Sequence, residues 1–238
     1  MTVTALVIAA AAVLYYTRGS RWLRTITDRI RGRSRSRGAG ASAAARARQL
    51  RTPAVRVAEH LGIPTQRGRE AARWAAGAEG ERRTAARLTA LERAGWTVLH
   101  DRALPRGRAN VDHLLISPTG RVYLPDTKRW SARWPLTARS GRLFHGERDV
   151  TRRLDGLHHE AAAVSAALRA HVTPLAAMDG PPIPAGQLMV DGLLLVPADQ
   201  LVAQLLRLDR TSHCPRLRPA PLAATAARLL PPYHQGHR

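Results

Sequence analysis

The sequence has very little cysteine, lysine and aromatic side chain. Cys214 is the one cysteine in 238 residues, which excludes an intrachain disulfide and any cysteine-rich zinc site. Phe, Trp and Tyr make up only 4% of the chain, so its 45% hydrophobic content depends heavily on alanine. The G-x-x-x-x-G-K pattern of a phosphate-binding loop is also absent, which argues against nucleotide hydrolysis. The length leaves room for one domain of ordinary size with tails.

Lysine occurs once. The chain has 38 Lys and Arg residues together, and because Lys128 is the only lysine, the other 37 are arginine. A coding bias toward arginine explains the excess wherever only a positive charge is needed. Arginine cannot replace an amine that approaches a reacting group, because guanidinium has a different shape and stays protonated. The composition therefore singles out Lys128 as a candidate functional residue.

The net charge is +21, which predicts a polyanionic partner, either nucleic acid or an acidic membrane surface. Residues 2–16 carry no charged side chain, and three arginines follow closely at 18, 21 and 24. The run is short for a membrane span of about 20 residues. The positive charge behind it nevertheless predicts an N-terminal membrane anchor at residues 1–17, with the rest of the chain on the cytoplasmic side. A peripheral anchor or an apolar helix packed on the domain is the alternative.

The rest of the chain divides into three parts. Residues 18–70 are rich in Arg, Ser, Gly and Ala, and we expect a basic linker that is disordered or loosely helical. Its charge can hold anionic lipid or add nonspecific affinity for nucleic acid. We expect a folded core over residues 71–172, and a C-terminal strand and helices over residues 173–238 that complete the fold.

The hydrophobic pattern of the core predicts an α/β fold. Helix, three strands, helix and strand follow one another at residues 79–94, 96–100, 111–116, 121–127, 151–170 and 187–196. Ser117-Pro-Thr-Gly120 predicts a turn that joins the second and third strands into a hairpin. Further along, residues 134–145 predict a short hairpin, and residues 199–208 and 221–230 predict amphipathic helices. This order indicates a mixed central sheet flanked by helices.

Four side chains form a candidate site. Asp126 and Lys128 lie two residues apart on the third strand and therefore on the same face. The hairpin would bring Asp112 beside Asp126, and two adjacent carboxylates repel unless a cation joins them or one is protonated. A hard divalent ion such as Mg²⁺ or Mn²⁺ suits such oxygen ligands. Glu81 lies on the apolar face of the first helix, where it either joins this site or is an ordinary acid of the first turn.

These residue types predict phosphodiester chemistry. A metal held by Asp112 and Asp126 can polarise a phosphate oxygen and lower the pKa of a bound water, and Glu81 can bind that metal through water or place a second ion. Lys128 can orient that water or stabilise the charge that develops on phosphorus. Three arginines can hold the phosphate backbone or remain a solvated basic surface: Arg108, Arg129 and Arg133.

Three segments resemble the nuclease-related domain family, NERD, a branch of the PD-(D/E)XK nuclease superfamily. They are Gly77-Ala-Glu-Gly-Glu81, Val111-Asp112-His113 and Asp126-Thr-Lys128, and the resemblance spans residues 77–168. The resemblance implies a restriction-endonuclease-like core and a Mg²⁺-dependent phosphodiesterase active on DNA. It also implies that Glu81, Asp112, Asp126 and Lys128 form the catalytic site, with the three acids as metal ligands.

The chain departs from the family pattern at two positions. Asp126 stands where the family usually has Glu, so a metal would have to lie closer to the strand. The family often has Gln in the following helix, where Glu160 is the nearest residue, and we expect Glu160 to be a surface acid. His113 points away from Asp112 and is expected to be a packed histidine. Trp130 is expected to shield the strand end, with base stacking as the alternative.

A second function is also compatible with the sequence. The anchor, the charge of +21 and the short acid at position 126 would suit a membrane-tethered basic module that binds nucleic acid or anionic lipid without turnover. Such a module predicts salt-sensitive binding without metal-dependent products.

Overall fold

The computed structural model describes residues 38–107, 109–211 and 217–233. The anchor expected at residues 1–17 and the linker up to residue 37 lie outside the described residues. Within the described ranges, no helix combines the length and the apolar character needed to cross a membrane.

Among the described residues, three helices precede the first strand, namely α1 (Ala41–Leu50), α2 (Pro53–His60) and α3 (Gln66–Arg93). The Thr52 and Thr65 hydroxyls accept the N–H groups of Val55 and Gly68 and so cap α2 and α3. Alanines of α1 are buried where α1 packs along α3. Part of the expected linker is therefore regular helix, because alanine lets two helices approach closely without a wide apolar face.

The described residues form nine strands: β1 (Thr97–Ala103), β2 (Asn110–Ile116), β3 (Val122–Arg129), β4 (Leu136–Arg139), β5 (Arg142–His145), β6 (Arg148–Asp149), β7 (Val172–Asp179), β8 (Leu188–Val190) and β9 (Leu193–Pro197). Six of them form a central sheet in the order β1-β2-β3-β7-β9-β8. β3, β7 and β9 run parallel, whereas the other neighbours are antiparallel. The predicted mixed sheet is confirmed. A separate three-stranded sheet has the order β4-β5-β6.

Helices cover both faces of the central sheet. A 3-10 turn (Thr151–Leu154) leads into α4 (Asp155–Leu168), and α5 (Leu201–Thr211) and α6 (Pro219–Leu229) follow β9. Leu124 of β3 belongs to a core with α4 and α6, whereas its neighbour Tyr123 belongs to a core with α3 and α5. Strand alternation thus divides the apolar residues between two layers, as expected for an α/β fold.

Two predictions for the sheet are wrong. β7 lies in the middle of the sheet and was not predicted, because Ala176, Ala177 and Pro174 give it little β-branched character. The apolar run at residues 187–196 was expected to be one strand, yet it forms the β8–β9 hairpin. Asp191 and Gly192 take φ values of 49° and 73°, which reverse the chain between the two strands.

Candidate active site

Lys128 and Asp126 lie side by side on β3. Their spacing of two places both side chains on one face of the strand, and the Lys128 ammonium forms an ion pair with the Asp126 carboxylate. Asp126 is buried, and the Lys128 side chain is 24% exposed. Burial disfavours the ammonium, but the carboxylates of Asp126, Asp112 and Glu160 outweigh burial and raise the pKa of Lys128. The amine is therefore a cation held among acids.

Asp112 occupies the point at which the β2–β3 hairpin opens. The two strands pair at Leu115–Tyr123 and Ile116–Val122, next to the turn. Further along, the Asp112 carboxylate accepts the backbone N–H of Thr127 at 3.4 Å. The Asp112 side chain thus accepts a hydrogen bond that a backbone carbonyl would accept in a regular pair of strands. Burial, followed by the charges of Glu81 and Asp126, raises the pKa of Asp112 well above its ordinary value.

Gly80 lets α3 approach β3. A Cβ on Gly80 would lie 3.3 Å from Thr127 Cγ2 and 3.4 Å from Arg129 Cβ, so a larger residue would push the helix away. Glu81, the next residue, is 7% exposed. Because α3 begins at Gln66, Glu81 is not in the first turn, and that alternative is wrong. Burial, then the charges of Asp101 and Asp126, raise the pKa of Glu81 to about 7.

Glu160 also faces this cluster. The expectation of a surface acid is wrong, since Glu160 is half-buried on α4. Burial and the charge of Asp126 raise the pKa of Glu160 to about 8, against the opposing charge of Lys128. The signal in the sequence is helical spacing, because Glu160 lies three residues after Leu157, which is fully buried.

Residues at the N-terminal end of α1 reach the same site, which the sequence did not indicate. The Gly40 backbone hydrogen-bonds to Glu81, an interaction that partly lowers the pKa of Glu81. The Ser42 N–H donates to the Asp101 carboxylate at 3.0 Å, and the Asn110 amide donates to it at 2.8 Å. Gly40 has φ 70°, and a Cβ there would lie 2.6 Å from the Ala78 carbonyl oxygen. The start of α1 therefore sits directly against α3.

The donor set suits a hard divalent cation. Glu81 Oε2 is buried without a hydrogen-bond partner, and burial, followed by the charges of neighbouring carboxylates, raises the pKa values of Glu81, Asp112 and Glu160. Such carboxylates gain from a nearby cation, and oxygen ligands favour Mg²⁺ or Mn²⁺. Among the described residues, no three His, Cys, Asp or Glu side chains are already clustered closely enough to hold a metal ion. The acidic cluster therefore matches a divalent cation in its charge and in the type of its ligand atoms.

The remaining candidates lie around this cluster. His113 is fully buried, with its Nδ1 at 2.8 Å from Nδ1 of His100, so the expected packed histidine is confirmed. Trp130 packs against the core between His145 and Arg153, which agrees with a shielding role. Two of the three arginines are exposed, Arg129 at 3.9 Å from the Asp179 carboxylate and Arg133 near Trp134, and Arg108 lies outside the described residues.

A mixed sheet flanked by helices, with acids and one lysine at the open end of its hairpin, defines a nuclease-like core. The family model described as NERD, nuclease-related domain, matches residues 76–182. Residues 76–182 are thus similar to a nuclease-related domain, and the resemblance drawn from the motifs is confirmed. All five side chains of the cluster lie inside the matched range: Glu81, Asp112, Asp126, Lys128 and Glu160. Neither the search of curated proteins nor the search of solved structures found a match.

Proposed function

We propose that this chain is a metal-dependent nuclease that hydrolyses phosphodiester bonds in DNA. The observation that carries the proposal is the ion pair of Lys128 with Asp126, which stands among three further carboxylates inside the nuclease-related domain. Such carboxylates can bind a divalent cation, and the amine beside them can contact a phosphate that this cation activates.

Three acids would hold the metal. Asp112, Asp126 and Glu81 would bind Mg²⁺ or Mn²⁺, which when bound supplies Lewis acidity toward a phosphate oxygen and toward the attacking water. The Thr127 N–H fixes the Asp112 carboxylate, and the Gly40 backbone does the same for Glu81. Both acids are therefore oriented by main-chain groups, which move less than long side chains.

Lys128 acts as a cation in this scheme. Its raised pKa keeps the amine protonated at neutral pH, so Lys128 donates hydrogen bonds and does not accept the proton of water. The ammonium can stabilise charge that develops on the phosphate oxygens. Glu160 adds a second carboxylate beside the amine and helps to retain it at the site.

The proposed substrate, DNA, is supported by the family match and by the net charge of the chain. A nuclease-related domain implies nucleic acid, and a net charge of +21 favours a polyanion that brings its own phosphates to the acidic cluster. The carboxylates would otherwise repel that polyanion, which is why a divalent cation and Lys128 both belong to the proposal.

The test compares cleavage of DNA by the full chain and by Lys128→Ala, with Mg²⁺, with Mn²⁺ and with EDTA. We expect cleavage only with metal, and a loss of about 100-fold or more in rate for Lys128→Ala, the size seen when one transition-state donor is removed. DNA binding should stay within about twofold. Arg93→Ala, which removes an exposed cation from the end of α3, is the charge-matched control.

Two results would contradict the proposal, namely unchanged cleavage by Lys128→Ala or cleavage that persists in EDTA. Salt-sensitive DNA binding without any product would favour the binding module instead. A location on the cytoplasmic side of a membrane, proposed from residues 1–17, is tested by fractionating cells that express the chain with and without those residues.

A further inference from the structure

A basic surface follows Lys128 directly along the chain. Residues 129–153 contain seven arginines and two acids, and they include the whole three-stranded sheet of β4, β5 and β6. We call this segment the arginine-aromatic sheet. The strand rise of about 3.3 Å per residue places Trp130 roughly 7 Å from Lys128 along the chain. The surface is therefore next to the candidate site and is not part of it.

Arginine side chains lie over aromatic rings throughout this segment. Every cation–π contact found among the described residues belongs to it. The three contacts join Arg133 to Trp134 at 5.2 Å, Arg139 to Phe144 at 5.3 Å and Arg153 to Trp130 at 5.2 Å from guanidinium carbon to ring centre. Guanidinium groups and aromatic rings are the two side-chain planes on which nucleic-acid bases stack.

The Trp134 side chain is half exposed and packs against the backbone at Gly146. Half of its surface, 50%, is open to solvent, and its ring lies against Gly146. A Cβ at Gly146, which has φ 60°, would lie 3.3 Å from Trp134 Cβ and Cγ. The Gly146 N–H donates to the Pro135 carbonyl at 2.9 Å and so fixes this backbone. The ring is thus packed against main chain and lies beside the Arg133 guanidinium, while half of its surface is exposed, which suits a stacking platform.

Part of the positive charge is not neutralised within the protein. Arg139 and Arg142 pair with Glu147 and Asp149, the two acids of the segment. Within the described ranges, no salt bridge involves three further exposed arginines of the segment: Arg133, Arg148 and Arg152. Unneutralised cations on the same segment as an exposed aromatic ring are complementary to a phosphate backbone with unpaired bases.

We propose that the arginine-aromatic sheet binds single-stranded nucleic acid and leads that strand to Lys128. Bases stack on Trp134 and on the Arg139–Phe144 pair, and the unneutralised arginines hold the phosphates. Duplex DNA is disfavoured at this surface, because paired bases keep their faces inside the helix. The strand's path to the site rests on the proposed nuclease function, whereas binding to the sheet does not.

The test measures binding of a fluorescein-labelled oligo(dT) to the full chain in EDTA, where cleavage does not interfere. We expect Trp134→Ala to weaken binding by about 5- to 100-fold, from the usual worth of one stacked base. Trp74→Ala is the matched control, because Trp74 on α3 is similarly exposed, at 43%, and lies outside the sheet. Trp134→Phe keeps a ring and should restore most of the affinity.

Unchanged oligo(dT) binding by Trp134→Ala overturns the inference, as does an equal loss in Trp74→Ala. An equal loss for a duplex of the same length also overturns it, because the surface would then contribute only charge. Thermal melts of each variant separate a folding defect from a binding defect, and Arg133→Ala and Arg148→Ala should each lower the salt dependence. Because oligo(dT) binding is measured in EDTA without any cleavage, a failed cleavage test leaves this result interpretable.

Discussion

Glu160 and Glu81 are acids whose pKa values lie close to neutral pH. Burial contributes most to each shift, and the charge of Asp126 adds to both. Each therefore carries a proton at pH values where an exposed glutamate is ionised. At the scale of single residues, the fold thus keeps Glu81 and Glu160 protonated until a cation or a higher pH removes the proton.

Glu160→Gln tests this state through stability. The folded-state pKa of about 8 exceeds the unfolded value of 4.5, so the folded chain binds the extra proton between those values. The stabilising effect of this proton on the folded chain is complete below pH 4.5 and is lost as the pH rises through 8. Without metal, Glu160→Gln should therefore melt higher than the wild type at pH 8.5, by roughly 3 °C or more, since about 1 kcal/mol shifts Tm by 2–4 °C.

The difference between the two proteins should shrink at pH 5, where both side chains are neutral. Glu147→Gln is the control, because Glu147 is an exposed acid of the arginine-aromatic sheet. Parallel melting curves for wild type and Glu160→Gln across this range would contradict the raised pKa.

Residue spacing predicted part of the site. Lys128 follows from composition, and its shared face with Asp126 follows from strand parity, because both depend only on local geometry. Helical spacing puts Glu160 on the face of Leu157, but its place in the site also depends on which side of the sheet α4 covers. The contact of Gly40 could not be predicted, because it joins α1 to α3 and these helices are separated in sequence by α2.

At the scale of elements, α1 and α3 form a unit with the site. Gly40 begins α1 in a left-handed conformation against the Ala78 carbonyl, and its backbone bonds to Glu81. We expect Gly40→Ala to lower the free energy of unfolding by about 2–4 kcal/mol, through left-handed strain and a displaced helix. It should also slow metal-dependent cleavage, because Glu81 loses its backbone partner.

Gly62→Ala is the matched control in calorimetric melts and cleavage assays. Gly62 has the same φ of 70°, but a Cβ there would meet no atom within 4 Å. It should cost only the left-handed strain of about 1–2 kcal/mol and leave cleavage unchanged. Equal effects of the two substitutions would mean that the contact with α3 contributes nothing to the site.

Element prediction succeeded where periodicity was strong. The hairpin of β2 and β3 has alternating residues and a Pro-Thr-Gly turn, and it was predicted within two residues at each end. β7 has no such signal, because a strand covered on both faces by helices can use alanine where space is tight. The 187–196 run was misassigned because hydrophobicity alone does not reveal the reversal at Asp191-Gly192.

At the scale of the whole molecule, an acidic cluster stands inside a chain of net charge +21. We expect Mn²⁺ at about 100 times its Kd to stabilise the folded chain by about 2.7 kcal/mol at pH 8, or roughly 5–10 °C in Tm. Asp126→Asn should lose this effect, and EDTA should reverse it. At pH 6 the gain should be smaller, because protons compete for Glu81 and Asp112. An Mn²⁺ effect of equal size in Asp126→Asn would place the ion elsewhere.

Lys128 also gives the protein an unusual chemical handle. Because no other side chain in the sequence is a primary amine, Lys128 is the one side chain that an amine-selective reagent labels. A lysine-specific protease has one place to cut, and the two products divide the chain after β3 residue 128. The rate of either reaction reports how accessible Lys128 is. Mass spectra taken over time can therefore show whether bound DNA or metal protects the site.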